Sequence, residues 1–176
     1  DTLWLAGMPN EPGILRYGRT ITTIGSLTDG SMYNFADNNN YIVGDGGALT
    51  ALQPTETRLY IFLKDKVHFI TTQLNSSAVQ SFSTTNLFNG NYGCPNPFCC
   101  VEMEDVVTFF TGKRWILIDY DAASQKLRAN EEFDRPVFPI LQEADEDQTN
   151  ARLAYNPTTK EMRQKLLIGG VSRVIK

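Results

Sequence analysis

The chain is poor in the residues on which most recognisable chemistry is built. Its 176 residues include one histidine, His68, and three cysteines, Cys94, Cys99 and Cys100. An odd cysteine count crowded into GCPNPFCC does not make a disulfide framework. A structural zinc site needs about four ligands at recognisable spacing, and three thiols with one distant histidine do not supply it. No apolar run approaches the ~20 residues of a membrane helix. There is no Gly-x-Ser-x-Gly elbow, no Walker loop and no dinucleotide fingerprint. Surplus charge is small: the net charge is −4 and the pI is near 5.0. That balance argues against a broad basic surface for nucleic acid. An initiator Met is also missing. The opening stretch, DTLWLAGMPNEPGILRY, begins inside what reads as a hairpin.

What is present is β pattern. Apolar residues make up 41% and charged residues 20%, which suits a globular chain of one ordinary domain. Short runs rich in Val, Ile, Phe, Tyr and Thr alternate with Gly, Asn, Asp and Pro clusters. Leu59–Leu63 and Val67–Thr71 read as strands joined by a tight KDK turn. Cys99–Met103 and Val106–Phe110 form a second pair, and TGKR turns into Trp115–Ile118. Cys99 and Cys100 then begin a buried strand, where free Cys behaves as a small hydrophobe. Reduced, metal-free thiols are the expectation for all three cysteines.

Helix is expected only near residues 137–147, where Val137, Ile140, Leu141 and Ala144 recur at helical spacing behind Pro139. The stretch from Thr159 to Leu166 fits either a helix turn or one arm of a hairpin, and the short strand-like flanks favour the hairpin. Strand pairs recur near residues 3–17, 48–71, 98–118 and 151–176, at the period of four-stranded propeller blades. A β-sandwich is the alternative.

Candidate sites each have a plainer reading. His68 sits in an alternating strand and reads as a strand histidine satisfied by backbone or solvent rather than a catalytic base. GDGG (44–47) precedes a strand, so it lacks the helix N-terminus that binds phosphate and reads as a turn. Carboxylates cluster at Asp119/Asp121, Glu131/Glu132 and 143–147, and paired carboxylates can hydrolyse glycosides. A sialidase-like propeller would need arginines gathered about its site. Here Arg16, Arg19, Arg58, Arg114, Arg128, Arg135, Arg152, Arg163 and Arg173 are scattered. FADNNNY and EADEDQTN are oxygen-rich but do not follow the EF-hand spacing. Trp4, Tyr17, Tyr33, Tyr41, Phe88 and Tyr92 lie near turns and read as packing or as a contact surface. The expectation is therefore no catalytic residue, no cofactor and no metal.

Four stretches, in order, resemble the β-propeller-containing neck and tail proteins of tailed bacteriophages, among them tail nozzle or tubular proteins and packaged-DNA stabilisation proteins. LWLAGMPNEPGILRYGR (3–19) is similar to that family's apolar strand, AG-x-P-x-x-P turn and aromatic strand. GDGGALTALQPTETRLYIFLKDKVHFI (44–70) resembles its GD…ITAL…LLIF…VYLI blade. GCPNPFCCVEMEDVVTFFTGKRWILI (93–118) resembles GC-x-xPRS…V…DLYFL…G. RPVFPILQEADEDQTNARLAYNPTTKEMR (135–163) looks like the linking helix and the Asn-Pro hairpin. The chain departs from the family at Pro97-Phe98-Cys99, where the polar side chains of PRS are gone, so packing is expected to replace any bond they make.

The resemblance implies an all-β propeller-like domain, spanning 1–176 as a piece of a larger protein. It implies a structural virion component of neck or tail, ringed with copies of itself around the DNA channel. Its neighbours would be portal, neck or tail proteins. DNA contact would be passive, no membrane would be involved, and assembly would occur in the host bacterial cytoplasm. Strand pattern at both ends, Leu3–Ala6 and Val171–Ile175, implies sheet edges completed by something else. The alternatives are a module that binds a host-surface glycan or protein, and a propeller glycoside hydrolase.

Overall fold

The computed structural model describes residues 4–18, 40–43, 47–56, 58–74, 80–86, 92–104, 106–121 and 126–176. These residues are mostly strand, arranged as four antiparallel sheets, none of them closed, with one short helix. Two compact units divide the chain, 1–49 and 50–176. In the first, β1 (Trp4–Leu5) pairs with β2 (Ile14–Tyr17), which pairs with β3 (Asn40–Ile42). The expected opening hairpin is thus present. Its turn closes through Glu11 N–H on Met8 O at 3.0 Å, and Gly7 enters it at φ +73°. Trp4 stands across from Tyr17 with ring centroids 5.5 Å apart.

From β4 onward the chain forms three consecutive meanders. The first runs β4 (Leu49–Pro54), β5 (Leu59–Leu63), β6 (Val67–Leu74) and β7 (Gln80–Asn86). The second runs β8 (Cys100–Met103), β9 (Val106–Phe110), β10 (Trp115–Asp121) and β11 (Lys126–Asn130). The third has three strands, β12 (Arg152–Asn156), β13 (Glu161–Ile168) and β14 (Val171–Ile175). The stretch from Thr159 to Leu166 is therefore turn and hairpin strand. Its Asn156 carboxamide oxygen accepts from the Thr158 and Thr159 N–H groups, at 3.0 and 3.3 Å.

Alternation decides how the meanders pack. On β9 and β10, Val107, Phe109, Ile116 and Ile118 share one face, and Phe109 meets Phe62 of the first meander with centroids 5.0 Å apart. Phe110 and Trp115 share the other face, and Trp115 Nε1–H donates to Gln164 Oε1 of the third meander at 3.2 Å. The second meander is thus apolar on both faces and lies between the other two. Phe62, Phe109, Phe110, Ile116 and Leu166 form the centre of this core.

The helix is shorter than the sequence predicts. A 3-10 turn at Glu132–Asp134 leads into α1, Phe138–Gln142, and the helix stops there. The residues beyond it have other partners. The Asp145 carboxylate accepts from Gly169 and Gly170 N–H, both at 2.8 Å, capping the β13–β14 turn. Asp145 N–H itself donates to Leu167 O at 2.9 Å. These bonds tie the segment to β13 and outweigh another helical turn.

Gly93 shows how closely the first two meanders meet. A Cβ there would lie 2.1 Å from the carbonyl of Lys64 and 2.3 Å from Asp65 N, both backbone atoms. Cys94 N–H donates to Leu63 O at 2.9 Å beside it. Gly93→Ala must push the β5–β6 turn away and is expected to cost about 3 kcal/mol. Urea unfolding would measure it; a cost within error of zero would show that the turn does not press on Gly93.

Candidate functional site

Among the described residues of 50–176, a groove runs between the second and third meanders. It holds two adjoining cavities of about 380 and 370 Å³. Phe133, Lys160 and Met162 line both. Trp115, Pro136 and Val137 add to the first, and Met103, Val106, Leu117 and Tyr155 add to the second. The walls are apolar because β8, β9 and β10 turn alternate residues toward the third meander, and Met162 does the same from β13.

Charged residues line the cavities as well, Lys160 in both, Glu161 and Lys176 in the first and Glu104 in the second. Glu104, at φ +48° in the β8–β9 turn, pairs with Lys160, at φ +53° in the β12–β13 turn. Tyr155 Oη–H donates to the same Glu104 carboxylate at 3.3 Å. The hydrogen bond and charge of Lys160 hold Glu104 below the usual carboxylate range. Glu104 raises Lys160 in return. Loss of water contact and the Glu104 charge raise Tyr155. All three shifts fix the charge states found at neutral pH.

A second polar group joins α1 to the sheets. Arg114 donates from Nε and Nη2 to Asp134 Oδ2 and Oδ1, at 3.3 and 3.1 Å, and also pairs with Glu131. Trp115 N–H donates to Asp134 Oδ2 at 3.1 Å, and Arg114 lies 4.7 Å over the Phe138 ring. Tyr92 Oη–H donates to Glu131. The carboxylates at 131, 134 and 145 are thus occupied in holding the segment 131–151 between the second and third meanders. In EADEDQTN, Asp147 accepts from Thr149 N–H at 3.0 Å, which lowers its pKa. Gln148 donates to Asp145 O and Leu167 O and accepts from Leu167 N–H.

All three thiols are buried and unbridged. Cys100 begins β8, and Cys99 lies one residue before it. Cys94 Sγ–H donates to Asn96 O at 3.1 Å. Burial, with hydrogen bonding to Cys100 and Cys99, pushes Cys94 far above the ordinary thiol range. Asn96 is what the sequence did not single out. Its Nδ2 donates to Gln148 O and Ala151 O, at 2.9 and 3.2 Å. Leu153 N–H donates to Phe98 O at 2.7 Å. Where the sequence led us to expect packing alone at Pro97-Phe98-Cys99, hydrogen bonds from Asn96 and Phe98 link the meanders.

The thiols should therefore resist a disulfide reagent in the folded chain and react as three groups in denaturant. An unfolded Cys94 loses its proton from about pH 9 while the folded one keeps it. Cys94 alone should then make stability fall above about pH 9, by at most about 1.4 kcal/mol per pH unit, while Cys99, which the Cys94 hydrogen bond holds below the ordinary thiol range, opposes that fall. Cys94→Ala should flatten this decline; an unchanged alkaline slope in that variant would refute the assignment.

His68 is buried on β6, across from Ile61 and Asn86. Asp119 pairs with Arg128 at 3.2 Å, well apart in sequence from the 131–147 carboxylates. Among the described residues no group of three or more His, Cys, Asp or Glu is placed to hold a metal ion, and no helix is long and apolar enough to cross a membrane. Arg19, Tyr33, Phe88, most of GDGG and most of FADNNNY lie outside the described residues. No protein-family model matches the chain, and no curated protein matches it.

Proposed function

We propose that this chain is a non-catalytic structural component of a tailed-phage virion, a propeller-type part of the neck or tail around the DNA channel. The observation that carries the reading is the order of the meanders. Three successive antiparallel meanders follow one another along the chain, and the second packs its two faces on the first and the third. Blades of a propeller are built this way, and the ordered resemblance of residues 3–163 to phage neck and tail proteins points to the same architecture. Function then rests on a rigid stack that presents loops to neighbouring subunits.

Edges support an assembly role. The third meander has three strands where its predecessors have four, and β14 leaves its outer side unpaired among the described residues. Val171 on that strand is 55% exposed. Such edges recruit strands, and in this reading a strand from the same polypeptide or from a neighbouring copy in a ring supplies the fourth. Antibody-labelled negative-stain microscopy of native particles tests the whole reading. Label in a ring on the tail axis is the expected result. Label on peripheral fibres would replace it with a host-surface binding module, and turnover of a glycan library would replace it with a hydrolase.

A further inference from the structure

The outward face of the third meander is built unlike the faces that pack inside residues 50–176. Alternation turns Leu153, Gln164 and Leu166 toward the core. It leaves Arg152, Ala154, Arg163 and Lys165 exposed on the opposite side. Register sets Arg152 across from Lys165, Lys165 across from Val174, and Ala154 across from Arg163. Lys176, which with Glu161 also borders the first cavity at this end of the sheet, lies two residues beyond Val174 and 3.9 Å from Glu161. Directly opposed side chains start about 5 Å apart, and successive ones on a face about 7 Å apart. Arg152, Arg163, Lys165 and Lys176 therefore form a compact grid of cations.

One carboxylate, Glu161, answers them, shared between Arg163 at 2.9 Å and Lys176 at 3.9 Å. Lys165 has no ion pair among the described residues. At the β12 margin Phe98 is 53% exposed, with the Arg152 guanidinium 3.8 Å over its ring.

We propose that this face binds the phosphate backbone of nucleic acid, with Phe98 and Arg152 as a stacking platform at one end. The distribution of apolar groups favours nucleic acid over an acidic protein. Protein interfaces have apolar centres, depleted in lysine, and polar rims. Here the order is reversed: Arg163 and Lys165 hold the centre, while Phe98 and the 66% exposed Val174 lie at the margins. Nucleic-acid surfaces are polar and strongly positive, arginine forks fit phosphate, and single-strand sites pair a cationic track with aromatic platforms. The net charge of −4 does not oppose this, because charges beyond about 10 Å are screened at 0.1 M salt. The site does not depend on the virion reading, and microscopy tests that reading separately.

Fluorescence anisotropy of the full chain with a labelled single-stranded oligonucleotide of about 20 nucleotides is the test. With about three phosphates neutralised, saturable binding should weaken roughly 15-fold between about 50 and 200 mM salt. Arg163→Glu with Lys165→Glu should weaken binding at least about tenfold and flatten the salt dependence, since two contacts of the grid reverse sign. Arg163→Gln with Lys165→Gln should give an intermediate loss, and circular dichroism would check that both variants fold. Lys126→Glu, on β11, should leave binding unchanged. The proposal is overturned if the chain shows no saturable binding at low salt, if the double reversal leaves it intact, or if polyglutamate binds and the oligonucleotide does not.

Discussion

Replacing Phe109 with alanine is expected to destabilise the chain by about 4 kcal/mol and to lower its melting temperature by roughly 12 °C. Phe109 is wholly buried on β9, in the sheet that both other meanders pack against. Deleting its ring removes its own transfer energy and leaves a cavity beside Phe62, whose ring sits 5.0 Å away at 58°. Side chains anchored in β5 and β9 cannot follow the void without breaking their ladders, so collapse is limited. A double-mutant cycle isolates the contact between meanders. Phe109→Ala and Phe62→Ala should couple by about 1 kcal/mol, the excess that tilted aromatic pairs contribute beyond buried area. Additive losses would mean that the two sheets do not pack through these rings. A loss below about 1 kcal/mol for Phe109→Ala would place the ring outside a core altogether.

The hairpins at the centre of each meander were legible because their side chains are sorted by the sheets themselves. Leu59–Leu63 is buried throughout and reads as an unbroken apolar run, while β9 and β10 carry aromatic and β-branched residues on both faces. The outer strands were not legible. In β7, QSFSTTN, and in β11, KLRAN, few residues are apolar; β7 pairs with β6, and β11 pairs with β10 and packs Leu127 and Ala129 against the core. Period alone does not signal such strands. The overlong helix has a related cause. Ala144 does face the core, as its spacing predicts, but it arrives there from a turn that Asp145 ties to the Gly169–Gly170 corner.

Sites were less legible than strands, because they depend on register. Arg152 and Lys165 are thirteen positions apart in sequence and face each other only once the β12–β13 turn is fixed. The net charge argued against a basic surface, yet it sums over a chain whose carboxylates are grouped elsewhere, at 131–134 and 143–147. The same sheet also bears on the architecture. The second meander offers apolar residues to both neighbours, whereas the third offers cations on its outward side.

Asp134→Ala should cost about as much as the core deletion, roughly 3–5 kcal/mol, although it removes only a carboxylate. Asp134 is 0% exposed and accepts three hydrogen bonds, from Arg114 Nε, Arg114 Nη2 and the backbone N–H of Trp115. Alanine leaves the Trp115 N–H buried without an acceptor, and it strands a guanidinium whose other partners, Glu131 and the face of Phe138, stand at the edge of the cluster. The loss should extend to the segment just before α1, since the Asp134 carboxylate ties the end of the 3-10 turn to Arg114 and Trp115. Asp134→Asn keeps one acceptor oxygen without the charge and should lose about half as much. Removing the charge at both ends, with Arg114→Leu and Asp134→Leu together, should cost less than Asp134→Ala alone, because the guanidinium goes with its buried partner and Glu131, part exposed, keeps the Tyr92 hydroxyl. Chemical denaturation of the four proteins measures this order. If the paired replacement proves the most damaging of the set, the ion pair itself contributes net stability and the desolvation argument fails. If Asp134→Ala costs less than about 1 kcal/mol, the carboxylate does not anchor the linker at all.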